Sequence, residues 1–150
     1  MSPSKRKEEP DACGILANLW RLVQAVLEES EPEMASLGLS PKTFFLLSEV
    51  DDHPFPAELA RKMQLPPPTV TYMIKQLEER GLLARQAEPG DLRKFRLVRT
   101  NAGREALGRG TEKLGALLAE RLARLDRADV LRFDKIVERL AEKPGSGPGA

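Results

Sequence analysis

The chain has 150 residues, 41% hydrophobic and 31% charged, the composition expected of one soluble globular domain with a buried core. Its 24 Lys+Arg against 23 Asp+Glu leave a net charge of +1, so global charge points to no polyanionic partner. One Cys and one His exclude an internal disulfide and a usual structural zinc site, 5% aromatics argue against a sheet-rich fold, and no apolar run nears the ~18 residues of a membrane span.

Met1 to Pro10 is charged and lacks the apolar core of a secretory signal. With the single Cys, this predicts a reducing, cytoplasmic setting. Residues 1–9, with Lys5-Arg6-Lys7, and residues 142–150, rich in Pro and Gly, read as a disordered basic tail and a flexible tail. From about Asp11 to Glu29, Ile15, Leu19, Leu22 and Val26 keep helical spacing. Leu16, Trp20, Val23 and Leu27 widen that row, so burial against more than one neighbour is expected. Glu33 to Leu37 reads as a separate short helical turn ended by Gly38.

Ser40-Pro41 is an N-cap and first-turn proline for a helix carrying Phe44, Phe45, Leu47 and Val50, which stops around Asp51-Asp52-His53-Pro54. Pro56 opens a short helix, Ala57 to Met63, with Leu59, Ala60 and Met63 inward. Each proline of Pro66-Pro67-Pro68 biases the preceding residue away from helix, so the next helix is predicted from Pro68 to Arg80, ended by Gly81. Leu82 to Ala87 and Lys94 to Arg99 read as strands around the turn Glu88-Pro89-Gly90-Asp91. Thr100 or Asn101 caps a long helix to about Leu125, with Leu107, Leu114, Leu118, Leu122 and Leu125 at helical spacing. Asp126 caps a last helix with Val130, Phe133, Val137 and Leu140 on one side. This order predicts a mainly α fold with a small β-hairpin wing (α+β): a winged helix-turn-helix flanked by long terminal helices.

The near-zero net charge hides an asymmetry. Arg61 to Arg104 holds ten cations against four anions, while the rest holds 14 against 19. A locally basic middle is what a phosphate-contacting surface needs, and also what a merely solvated face can look like. In the helix after the prolines, Val70, Met73, Ile74 and Leu77 share one face, with Pro68, Tyr72, Lys75, Gln76 and Glu79 opposite and Thr69 and Thr71 on the flanks. A major groove admits one such helix, and a cation beside the hairpin turn, Arg93 or Lys94, reaches an adjacent minor groove or phosphate.

Several runs then carry a resemblance. Pro56-Ala57-Glu58-Leu59-Ala60 resembles the first helix of bacterial helix-turn-helix proteins. Thr69-Val70-Thr71 through Ile74, Leu77-Glu78 and Gly81-Leu82-Leu83 resembles the recognition helix and wing entry of the MarR (multiple antibiotic resistance regulator) family. Asp91-Leu92-Arg93 is similar to that family's wing-tip motif, and Thr100-Asn101-Ala102-Gly103 to the opening of its long dimerisation helix. The resemblance spans roughly Asp11 to Ala141. It implies a homodimeric transcriptional regulator, a repressor in the first instance, that binds a pseudo-palindromic double-stranded DNA operator and is relieved by a small lipophilic or phenolic effector. It implies dimerisation helices at 10–30 and 101–141 and a DNA-binding lobe at 40–100. The residues so assigned to DNA are Pro68, Thr69, Thr71, Tyr72, Lys75, Asp91, Arg93 and Lys94, with Asp91 holding the minor-groove Arg93. Those assigned to the dimer are Ile15, Leu19, Leu114, Leu118, Leu122, Phe133, Val137 and Leu140. The leucine content of these helices also exceeds what a lone chain of this length needs to bury there. Trp20 is assigned either to an effector pocket or to plain core packing. The sequence departs from the family at Pro66-Pro67-Pro68, at Tyr72 where arginine is frequent, and at Arg99 where leucine is usual.

Other readings are weaker. Some MarR proteins sense peroxides through one cysteine in the first helix, which makes Cys13 an alternative redox site. The usual tyrosine partners are missing, since the only Tyr is Tyr72, so a passive thiol is favoured. His53 reads as a polar loop residue, and Glu28-Glu29 and Glu78-Glu79 as solvated surface. Neither a metal nor a cofactor is expected. No catalytic constellation is visible, so an enzyme is not expected. The apolar Pro66–Pro68 end and Tyr72 suggest, as the alternative, a winged helix that binds protein.

Overall fold

The computed structural model describes residues 11–142, and within them six helices and two strands follow in the predicted order. They are α1 (Ala12–Ser36), α2 (Pro41–Glu49), α3 (Pro56–Met63), α4 (Pro67–Glu79), β1 (Leu83–Glu88), β2 (Asp91–Arg99), α5 (Asn101–Leu122) and α6 (Arg127–Ala141). The expected tails lie outside the described residues, save Glu142, which ends α6.

Capping chemistry sets most boundaries. Asp11 starts α1 by accepting from the Cys13 and Gly14 amides at 3.2 and 3.0 Å. The separate turn expected at Glu33–Leu37 is instead the end of α1, which continues through Pro32. Pro32 removes one backbone donor, but the buried Ser30 and Met34 on either side keep the helix in register. At its end the Leu39 amide donates to the Met34 carbonyl and the Gly38 amide to that of Ala35, a geometry that needs the positive φ of Gly38. In α2, Ser40 and Thr43 cap each other reciprocally, with Pro41 in the first turn.

Besides β1, at Leu83–Glu88 rather than Leu82–Ala87, and the end of α4 at Glu79 rather than Arg80, three boundaries differ from expectation. First, α4 begins at Pro67 rather than Pro68. Both prolines occupy the first turn, where backbone N–H groups have no intrahelical partner to lose. Second, β2 begins at Asp91 rather than Lys94, so the turn shrinks to Pro89-Gly90. The ladder runs from Leu83–Arg99 to Ala87–Phe95 and then jumps to Glu88–Asp91. Leu92, Arg93 and Lys94 thus form a bulge without counterparts on β1. Third, α5 ends at Leu122 rather than near Leu125. Arg124 and Leu125 bond three residues back, tightening the chain before the Asp126 cap of α6.

The described chain divides into two compact units, one ending at Leu114 and the other starting at Gly115. The core of the first joins Leu46 and Leu47 of α2, Leu59 of α3, Val70, Ile74 and Leu77 of α4, and Leu97 of β2, all fully buried. Each such side chain contributes about 1.5–3 kcal/mol by leaving water. The inward face expected for α4 is the one observed, Met73 included. In α2, Thr43, Phe44, Leu46 and Leu47 are buried, while Phe45 stays 45% exposed. The broad burial expected for α1 is not met within one chain. Ile15, Leu16, Leu19, Trp20 and Val23 are exposed, and only Val26, Ser30 and Met34 are buried. In the second unit, no residue of α6 is buried.

Candidate nucleic-acid interface

The turn between α3 and α4 is tight because Gln64 adopts the left-handed conformation (φ 54°) and the Leu65 amide closes on the Ala60 carbonyl at 3.1 Å. Because Val70, Met73, Ile74 and Leu77 face the core, α4 must turn its other side to solvent. Pro68, Thr71, Tyr72 and Lys75 are exposed there, and Thr69 is half-buried. The Tyr72 hydroxyl accepts from Gln76 Nε2 at 3.2 Å, a pairing that sequence reasoning did not single out. Lys75 faces Glu79 one turn on at 3.8 Å.

At the wing tip Asp91 Oδ1 accepts from the Arg93 backbone amide at 3.0 Å. Asp91 therefore shapes the backbone that carries Arg93, rather than gripping its guanidinium. The bulge leaves the Arg93 and Lys94 side chains exposed, with no ion pair among the described residues. The wing is held by two further arginines. Arg85 of β1 meets Glu78 of α4 and lies over the Phe95 ring. Arg99 pairs with Asp51 through both guanidinium nitrogens facing that carboxylate. The Leu97 amide also donates to the Pro54 carbonyl at 2.8 Å. Burial, and then the neighbouring Arg104, lower the Arg99 pKa from its ordinary value.

The basic middle is thus largely committed to the fold. Lys62 faces Glu49, Arg80 donates to the Gly38 carbonyl, Arg96 faces Glu88, and Arg104 donates to Arg99 O and Asn101 Oδ1. Among the described residues, Arg61, Arg93 and Lys94 are left as unpaired cations of that stretch. Glu79 is solvated surface as expected, with its side chain 64% exposed beside Lys75, whereas that reading is corrected for Glu78, whose carboxylate is held by Arg85.

Residues 39–95, which hold α2 to the wing, match the MarR family. A relative in Bacillus subtilis, the HTH-type transcriptional repressor MdtR, is 26% identical over 134 residues, covering 85% of this chain and 86% of that protein. The HTH-type transcriptional repressor Rv2887 of Mycobacterium tuberculosis is 28% identical over 124 residues, 81% of this chain and 89% of that protein. The structure of Rv2887 in complex with DNA has a TM-score of 0.71 at 26% identity, covering 89% of this chain and all of that one. Its complex with salicylic acid has a TM-score of 0.70 at 27% identity, covering 89% and 98%.

The other residues assigned through the MarR resemblance fall in two places. Trp20 is 63% exposed and lines an open groove of about 690 Å³ with Gln24, Leu27, Pro41 and Phe45 between α1 and α2. Of the dimer residues, Ile15, Leu19, Val137 and Leu140 are exposed, while Leu114, Leu118, Leu122 and Phe133 are half-buried. Cys13 is an exposed free thiol. His53 sits 3.7 Å from Glu49, on the carboxylate that Lys62 also approaches. Among the described residues no group of three or more His, Cys, Asp or Glu side chains is placed to hold a metal, and no helix is long and apolar enough to cross a membrane.

Proposed function

We propose that this chain is a homodimeric, sequence-specific DNA-binding transcriptional repressor. The observation that carries this reading is the pairing of an exposed polar face on α4 with a wing tip whose two cations, Arg93 and Lys94, have no ion-pair partner among the described residues. In this reading α4 enters the major groove through Pro68, Thr69, Thr71, Tyr72 and Lys75. Arg93 and Lys94 meet the adjacent minor groove or phosphates, on a backbone shaped by Asp91. The DNA complex of Rv2887 supports it. The uncovered apolar rows of α1 and α6 support a second copy as the partner. The groove at Trp20 is the proposed place for a small aromatic effector, supported by the salicylic acid complex of Rv2887.

The test is selection from a random duplex pool at near-physiological salt, followed by addition of salicylic acid to the retained complexes. The expected result is an enriched palindrome with half-sites about one helical turn, ~34 Å, apart. Salicylate should release it while perturbing the fluorescence of Trp20, the only tryptophan. Salt-insensitive retention without enrichment would overturn the DNA reading in favour of a protein-binding winged helix. That alternative draws on the exposed Pro66, Pro67, Pro68 and Tyr72. Release without any change at Trp20 would overturn the placing of the effector.

A further inference from the structure

We infer that Arg85 is a positioning residue for DNA binding: it locks the wing at one angle to α4, so that the wing tip and the recognition helix engage one duplex together. The inference rests on the DNA-binding reading and assigns part of it to a residue that touches no DNA. Arg85 stands on β1, and its side chain reaches two other elements. Its Nε donates to Glu78 Oε1 at 2.6 Å and its Nη2 to Glu78 Oε2 at 3.1 Å, on the last turn of α4. The carbon at the centre of its guanidinium lies 4.4 Å from the centre of the Phe95 ring on β2. One planar group thus joins the recognition helix by its edge and the second wing strand by its face.

Its place along the wing matters. The Ala87–Phe95 pair is the last before the bulge that carries Arg93 and Lys94. The root of the wing is fixed separately, through Leu97 to Pro54 and Arg99 to Asp51. A two-stranded ribbon held only at its root is pliable, since an isolated hairpin is marginally stable. Arg85 stands opposite Leu97 at the root, and through the Phe95 ring, whose residue pairs with Ala87 beside the bulge, the clamp extends that hold toward the tip. With the tip held, the second contact with DNA becomes an intramolecular event at high effective concentration. Most exposed ion pairs contribute little, but a two-pronged arginine–carboxylate pair stacked on an aromatic ring is the geometry in which arginine and lysine are not interchangeable.

The test separates this role from charge. Glu78→Gln removes an anion from the basic lobe, so charge alone predicts tighter DNA binding, whereas loss of the clamp predicts weaker binding. Arg85→Lys keeps every charge and loses the fork. Binding of a duplex selected by the wild type is measured by fluorescence anisotropy for both variants, each with and without Arg93→Ala. Each single variant should bind about tenfold more weakly with the salt dependence of wild type unchanged, and Arg93→Ala should cost clearly less in either variant than in wild type. Unchanged or tighter binding by Glu78→Gln, or losses that simply multiply with Arg93→Ala, would overturn the proposal. If the wild type retains no duplex, the DNA-binding reading fails instead. Amide exchange along residues 84–97 then still decides the clamp, with faster exchange expected in Glu78→Gln and an unchanged rate overturning it.

Discussion

Gly103 shows how one missing side chain fixes two elements. Thr100 Oγ1 donates to the Gly81 carbonyl at 2.6 Å and accepts from the Gly103 amide at 2.9 Å, while the Thr100 amide donates to Leu82 O. The first turn of α5 is thereby drawn onto the chain leaving α4. A Cβ on Gly103 would collide with the Leu82 carbonyl oxygen, which is backbone and cannot rotate away. Gly108, in the same helix, faces open space. Gly103→Ala should therefore destabilise the protein by about 2 kcal/mol, the overpacking penalty exceeding the helix-propensity gain of about 1 kcal/mol. Gly108→Ala should keep that gain. Thermal unfolding of the two variants should move in opposite directions, by a few degrees each. A Gly103→Ala protein as stable as wild type would show that α5 does not depend on this approach.

At the scale of the element, the hairpin is the part that sequence reading located but did not explain. The threonine–glycine spacing at Thr100 and Gly103, the serine cap at Ser40 and the apolar face of α4 are local patterns, and all three were legible. The one-residue shift at Pro67 and the fusion of α1 through Pro32 were not, because they depend on which backbone donors are dispensable and on what burial holds in place. The candidate interface divides the same way. The exposed face of α4 follows from helical spacing. The commitment of Arg85 and Arg99 to Glu78 and Asp51 joins residues that are 7 and 48 apart in sequence, and no local pattern predicts the longer link. Arg99 has only 14% of its side chain exposed, against 60% for Asp51. Removing the exposed partner leaves a largely buried cation without its acceptor, whereas replacing the cation with an apolar side chain removes the need for one. Asp51→Ala should cost about 1–2 kcal/mol in denaturant unfolding, and Arg99→Leu close to nothing. The reverse order would show that Arg99 holds the wing root by packing rather than by its charge.

For the whole molecule, net charge and local charge density are poor guides until the internal pairs are removed. The basic stretch holds ten cations, but the structure leaves Arg61, Arg93 and Lys94 without partners among the described residues. A second copy doubles the cations available to one duplex. Each phosphate neutralised adds about 0.9 to the slope of log affinity against log salt. A dimer placing all three cations of each protomer on phosphates should therefore show a slope of about −5, and a monomer about −3. The proposed dimer also predicts what separates the two cases. The exposed Leu131, Ile136, Val137 and Leu140 of α6 give that helix an apolar surface that its own chain leaves uncovered. A charge there, as in Val137→Asp, should shift sedimentation from dimer to monomer. The same substitution should bring the salt slope on a selected palindrome down to the monomer value, although no DNA-facing residue has changed. A Val137→Asp protein that stays dimeric would remove α6 from the proposed interface. One that becomes monomeric and keeps the steep slope would show that cations beyond these three reach the phosphates.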